Sequence, residues 1–211
     1  MTNFTQPEPA LQSALILLAA GNSTRMGSPK QLLDFRGQPM LRHAALTALA
    51  SGCNPVIVVL GAQNEEIRPA LHGLNVEVII NPRWEQGMGT SIHAGLIALE
   101  KVLEKLGAQN QHPLGVILTL ADQPFITPAF LCSLIDQHRQ TCRPIVAAQY
   151  SGTVGVPAFF ASQFFPSLMA LNPGEGTKKI IQAHPGDTLL IDCPQAAQDI
   201  DTPEDYVRNI L

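Results

Sequence analysis

Short apolar runs alternate along this chain with longer stretches of helical spacing. Ala14 to Leu18, Pro55 to Leu60, Val76 to Ile80, Val116 to Leu120 and Ile145 to Ala148 are rich in β-branched residues or leucine and bounded by Gly, Pro or Asn. Such runs predict strands, and runs apolar on both faces predict helices on both sides of a sheet. Between them, Met40 to Ala50, Glu65 to His72, Gly89 to Leu106 and Pro128 to Arg139 have helical composition, with Pro128 suited to a first turn. The alternation is that of βαβ units, and it predicts an α/β three-layer αβα sandwich around a mostly parallel sheet.

The last third is less regular. Gly155 to Phe160 is a short apolar segment, followed by a helix-like stretch and the polar, glycine-containing run Asn172 to Lys179; this region reads as a lid or acceptor-side insertion. Thr188 to Ile191 predicts a further strand. Thr202 then suits an N-cap and Pro203 the first position of a final helix reaching Ile210.

Length and composition narrow the class. A chain of 211 residues, 45% of them hydrophobic, can bury one substantial core. The expected organisation is a loose tail over residues 1–12 and a single domain over 13–211. The tail carries two prolines and no positive n-region, unlike a signal peptide. No apolar run approaches the roughly 20 residues that span a bilayer, so no membrane contact is expected. Cys53, Cys132, Cys142 and Cys193 are scattered, as free thiols of a cytoplasmic protein would be. Thirteen basic against seventeen acidic residues give a formal charge of -4. That balance offers no broad cationic face for nucleic acid, whereas a small anionic ligand needs only a few amides and one or two cations.

Such a site is suggested where the first strand runs into Leu18-Ala19-Ala20-Gly21 and on through Asn22-Ser23-Thr24-Arg25-Met26-Gly27-Ser28-Pro29-Lys30. Small residues at a strand's carboxyl end let backbone amides approach a ligand. Gly21 and Gly27 permit unusual backbone angles, and the amides between them can form a nest for phosphate oxygens. Arg25 can fork onto two such oxygens, while Lys30 acts as a point charge. The loop matches neither G-x-x-x-x-G-K-[S/T] nor G-x-G-x-x-G. Spacing alone leaves two readings open, a phosphate-binding loop or a surface loop with solvated charges.

The run Leu18 to Lys30, L-A-A-G-x-x-x-R-M-G-x-x-K, resembles the signature of the molybdenum cofactor nucleotidyltransferase-like family, which includes cytidylyltransferases. The likeness continues through Gly37 to Leu41, Asn81 to Gly95, Leu120 to Pro124, Gly155-Val156-Pro157 and Asp199 to Tyr206. It implies a Rossmann-like sheet of the nucleotide-diphospho-sugar transferase type and Mg²⁺-dependent nucleotidyl transfer. Nucleotide contacts are implied for Leu18, Ala19, Ala20, Gly21, Arg25, Gly27, Lys30, Ser91 and Asp122, with Arg25, Lys30 and Asp122 catalytic.

Asp122 follows a strongly apolar strand, so its carboxylate stands at the same sheet edge as the loop. A hard oxygen ligand beside phosphates suits Mg²⁺, and the resemblance makes Asp122 the metal ligand. In Asp199-Ile200-Asp201-Thr202-Pro203-Glu204-Asp205, spacing suggests helix capping, while the resemblance offers Asp201 as a second metal contact. Gly87 and Gly89 leave room for a flat ligand, with Ser91 near base or sugar; a loop whose Trp84 packs into a local core fits the same residues. Lys178 falls in an incomplete match to a G-D-x-G-A-[R/K] segment, so Asn172 to Lys179 is either acceptor-side or an exposed turn. The six histidines form no zinc pattern.

In-line attack of an acceptor phosphate on the α-phosphorus needs no protein nucleophile. Ala20, giving L-A-A-G where guanylyl-transferring relatives usually have L-A-G-G, favours CTP; molybdenum-loaded molybdopterin is the implied acceptor, with a client molybdoenzyme beyond it. The alternatives are a guanylyltransferase, a sugar- or alcohol-phosphate nucleotidyltransferase, or a non-catalytic protein that binds and delivers the cofactor.

Overall fold

The computed structural model describes residues 13–24, 26–105 and 113–210. The expected tail, 1–12, lies outside the described residues, and so does Arg25. In chain order the elements are β1 (Ala14–Ala19), the hairpin β2 (Asp34–Phe35) and β3 (Gln38–Pro39), α1 (Met40–Ala50), β4 (Val56–Leu60), α2 (Asn64–Ile67), β5 (Glu77–Ile80), α3 (Met88–Lys105) and β6 (Gly115–Leu120). Then follow α4 (Pro128–Thr141), β7 (Ile145–Tyr150), β8 (Thr153–Ala161), α5 (Phe165–Met169), α6 (Lys178–Ala183), β9 (Thr188–Asp192) and α7 (Pro203–Ile210).

Seven strands form one sheet in the order β5-β4-β1-β6-β8-β7-β9. β1 pairs in parallel with β4 and β6, β4 with β5, and β7 with β9, while β8 runs antiparallel to both its neighbours. The sheet is therefore mostly parallel, as expected.

Alternation along β1 shows why helices cover both faces. Leu15, Leu17 and Ala19 pack in one layer with Leu41 and Ala45 of α1 and Leu131 and Leu134 of α4. Ala14, Ile16 and Leu18 pack in the other with Ile92, Leu96 and Leu99 of α3 and Leu168 of α5. Burying each such Leu or Ile contributes about 1.5–3 kcal/mol. The α3 face approaches so closely that a Cβ on Gly95 would lie 2.7 Å from Cγ2 of Ile16. A helix-interior glycine costs about 1 kcal/mol relative to alanine, and the close packing explains its presence.

Two expectations are corrected. The stretch Glu65 to His72 is not one helix: α2 stops at Ile67 and a 3₁₀ turn spans Arg68–Leu71, because Pro69 has no amide to continue the α-helical ladder. More consequentially, Gly155 to Phe160 is no part of a lid. It lies within β8, between β6 and β7, with Ala158, Phe159 and Phe160 fully buried. The chain doubles back at Ser151 and Gly152, whose φ values of 47° and 73° fit a type I′ hairpin turn. Among the described residues, no helix is long and apolar enough to cross a membrane.

Candidate active site

From β1 the chain proceeds to β4 and β5 on one side, then returns to place β6 on the other. A crevice opens beyond the carboxyl ends of strands at such a switch point. Here it is a cleft of about 660 Å³, lined by Leu18, Ala19, Ala20 and Gly21 after β1, Lys30 and Gln31 from the loop, Trp84, Gly87, Met88 and Ser91 from the β5–α3 connection, and Asp122 after β6. Its volume suits a nucleotide-sized ligand.

The loop after β1 is held from within. Gln31 is buried and its Nε2 donates to the carbonyls of Ala19 at 3.1 Å and Gly21 at 3.0 Å. The Ser23 hydroxyl donates to Gln31 Oε1 at 3.2 Å and accepts from the Lys30 amide at 2.8 Å. These contacts tie Ser23 and Lys30 to the carboxyl end of β1 through Gln31. Gly27 has φ 70° and is exposed, outside the residues lining the cleft. Gly21, by contrast, has no positive φ; a side chain there would point into open space.

Lys30 joins two distant segments. Its Nζ donates to Asp122 Oδ2 at 2.6 Å and to Asp201 Oδ1 at 2.7 Å, with the lysine side chain only 13% exposed. Burial works to lower the Lys30 pKa, but the charge and hydrogen bond of Asp122, then those of Asp201, outweigh it and hold the ammonium above its usual value. Nearby, partial burial followed by the charges of Asp201 and Asp122 pushes the Asp199 carboxyl up. Asp122 Oδ1 is buried without a hydrogen-bond partner among the described residues, and leaving such an atom unpaired is costly.

Among the described residues, Asp122 and Asp201 share the one ammonium of Lys30. Hard oxygen donors, one of them unpaired, fit a divalent cation of the Mg²⁺ or Mn²⁺ kind, which takes one or two carboxylates and completes its shell with phosphate and water. Among the described residues no group of three or more His, Cys, Asp or Glu side chains forms a closed protein cage.

Asp201 arrives by tertiary contacts. Ile200 N donates to Asp122 O at 3.0 Å. Beyond it, Thr202 Oγ1 donates to Asp205 Oδ2 at 2.9 Å and accepts from the Asp205 amide at 3.2 Å, a reciprocal cap on α7. The helix capping expected of Thr202 and of this run is thus seen.

On the opposite wall, Asn81 is buried and its Nδ2 donates to Thr90 Oγ1 at 2.8 Å and Ser91 Oγ at 3.0 Å. Ser91 thereby spends a lone pair inward and keeps a hydroxyl proton at the cleft. Trp84 is half-buried, packed on the core and lining the cleft at once. A Cβ on Gly87 would come 2.6 Å from Pro173 O, and Gly89 N donates to that same carbonyl at 2.9 Å, so both glycines admit the backbone at Pro173, while Gly87 also lines the cleft. The run Asn172 to Lys179 is a tied turn. Glu175 accepts from Lys179 at 2.6 Å and from Asn172, which holds its carboxyl at about 2. Lys178 donates to Thr153 Oγ1 at 2.8 Å and is not among the cleft residues.

The structure thus brings together Leu18, Ala19, Ala20, Gly21, Lys30, Ser91 and Asp122 in the cleft, with Asp201 at Lys30. Sequence reasoning passed over Gln31, Asn81 and Gln123. The available signal was a polar residue within an apolar or glycine-rich context, whose burial only packing reveals.

A doubly wound sheet with an amide-rich loop and a carboxylate at its switch point is a setting for nucleotide chemistry, and the family match makes this chain a nucleotidyltransferase. Residues 15–188 match the MobA-like NTP transferase domain, and the chain belongs to that family. It is similar to nicotine blue oxidoreductase of Paenarthrobacter nicotinovorans, 29% identical over 92% of this chain and 94% of that one. It is likewise similar to purine catabolism protein PucB of Bacillus subtilis strain 168, 27% identical over 90% of this chain and 92% of that one. Among solved structures, Rv0371c of Mycobacterium tuberculosis H37Rv is 29% identical with a TM-score of 0.75, covering 95% of this chain and 98% of that one. Its complex with manganese has a TM-score of 0.69, at 29% identity, covering 94% and 98%.

Proposed function

We propose that the protein transfers CMP from CTP to the phosphate of molybdenum-loaded molybdopterin, with Mg²⁺, giving the cytosine dinucleotide cofactor and pyrophosphate. The observation that carries nucleotidyl transfer is the convergence of Lys30, Asp122 and Asp201 beside the loop after β1. Asp122 and Asp201 would hold the metal, a reading supported by the unpaired Asp122 Oδ1 and by the manganese complex of Rv0371c. When bound, the ion neutralises triphosphate charge.

The chain's own residues bind and orient. Loop amides between Ala20 and Lys30 cradle phosphate oxygens, with Arg25 and Lys30 stabilising charge on the leaving pyrophosphate. An acceptor phosphate oxygen attacks the α-phosphorus as the bond to the β-phosphate oxygen breaks. A phosphate monoester, with a second pKa near about 6, is mostly dianionic at neutral pH and needs no general base. Ser91 donates its hydroxyl to a base carbonyl, and the Ala20 methyl, 7% exposed at the cleft wall, narrows the space for a purine.

Thermal unfolding with Mg²⁺ or Mn²⁺ and each of CTP, GTP, ATP and UTP tests this reading, repeated on Asp122→Ala. A nucleotide at about 100 times its dissociation constant stabilises by about 2.7 kcal/mol. A metal-dependent preference for CTP, lost in Asp122→Ala, is expected; a preference for GTP keeps the class and overturns the base. Because one relative is named an oxidoreductase, NADPH belongs in the same panel, and stabilisation by it alone would displace the transferase reading.

A further inference from the structure

Asp122 is followed by Gln123, a side chain only 4% exposed that reaches two other elements. Its Nε2 donates to Ala196 O at 2.9 Å and lies 3.4 Å from Val156 O. Val156 sits in β8 where its register against β7 shifts, between Ala147 and Ala148, and Ala196 lies within the 3₁₀ turn Pro194–Ala197. From Ala196 the chain runs to Asp201, and on the way Ile200 N returns to Asp122 O at 3.0 Å. Consecutive residues after β6 therefore grip both ends of the segment that delivers Asp201.

We propose that Gln123 is a positioning residue, its amide fixing where Asp201 stands relative to Asp122 and so setting the metal affinity of the pair. The inference rests on the reading that these carboxylates hold the metal. Asp201 belongs to no strand and reaches Lys30 across the fold, so its placement depends on how the irregular segment before it is tied. Gln123 supplies that tie from the same loop that carries the other carboxylate. Groups that orient metal ligands from behind typically change affinity by about 10- to 100-fold when removed.

The test is Mn²⁺ binding, read as free-ion signal by electron paramagnetic resonance with no nucleotide present. Gln123→Met keeps the length but removes the amide donor, and it is expected to weaken Mn²⁺ binding by about 10- to 100-fold while circular dichroism confirms a folded chain. Leu134→Ala, which excavates the core under α4, serves as a control for lost stability and is expected to bind Mn²⁺ as the parent does. Should Gln123→Met not fold, Gln123→Leu takes its place, with the same expectation. Parent-like affinity in a folded Gln123 variant overturns the proposal while leaving the metal reading intact. If the parent protein binds no Mn²⁺, or Asp122→Ala binds it equally well, the metal reading fails and the inference falls with it. Equal weakening in Leu134→Ala would assign the effect to stability and also overturn it.

Discussion

The two halves of the sheet are built differently. On the side of β5, β4, β1 and β6, every strand runs in parallel and each sheet pairing keeps its register. On the side of β8, β7 and β9, an antiparallel strand is wedged in by a hairpin, its register against β7 shifts, and an irregular segment leads from β9 to α7. The first half supplies Leu18 to Gly21 and Asp122 from strand ends and Lys30 from the loop after β1; the second supplies Asp201 through loop contacts. A regular scaffold thus fixes the loop and one carboxylate, and a less regular one adds the second, so the Lys30 ammonium bridging Asp122 and Asp201 is also a bridge between the two kinds of construction.

Substitutions on either side of that bridge should not cost the same. Asp122→Ala is expected to lower pyrophosphate release by about 10² to 10³, the scale for losing one transition-state electrostatic contact. Asp201→Ala, the partner held by a loop, is expected to lose less, about 10- to 100-fold; equal losses measured side by side would erase the distinction. In the regular half, Gly95→Ala would press a methyl into Ile16, and overpacking of this kind costs about 1–3 kcal/mol in denaturant unfolding. In the irregular half, Thr202→Ala removes the α7 cap and should cost about 1 kcal/mol, together with a smaller loss of activity as Asp201 loosens.

The smallest effect concerns acid. His43, tilted against Phe35 at 4.5 Å, has Nε2 3.1 Å from Pro124 O, which a neutral ring satisfies by donating. Burial lowers its pKa below 6.5, outweighing the Pro124 contact, with Arg36 adding to the shift. The folded state then binds fewer protons than the unfolded one. Its stabilisation is fully present above the unfolded value of 6.5 and is lost as pH falls through the lower folded value. Unfolding midpoints should fall on acidification, and His43→Gln should flatten that part of the profile.

Much of this was legible in the sequence. Runs such as Leu15 to Leu18 and Val56 to Leu60 are apolar at consecutive positions, rich in β-branched residues or leucine and short, as a strand covered on both faces is, and the helical composition of Met40 to Ala50 has the boundaries of α1. The loop from Leu18 to Lys30 and Asp122 after β6 were legible for the same reason, since strand ends in a parallel sheet share an edge. Gly155 to Phe160 belongs to the sheet and not to a lid because a short apolar run does not state whether it is paired in the core, although Ser151-Gly152 is the available sign of a hairpin. Gly87 serves the cleft and the backbone at Pro173 at once, whereas the Cβ space of Gly89 belongs to the backbone at Asn172 and Pro173, which no spacing rule reveals.

The sequence by itself determined the layers, the strand-end loop and the residue types able to meet phosphate and metal, because these follow from local periodicity and from groups adjacent along the chain. Only the tertiary structure decided that Asp201 stands at Lys30, that Gln31 and Gln123 are buried braces and that Lys178 turns to Thr153. Those outcomes depend on contacts between residues far apart in sequence, where sub-ångström packing rather than residue type selects the partner.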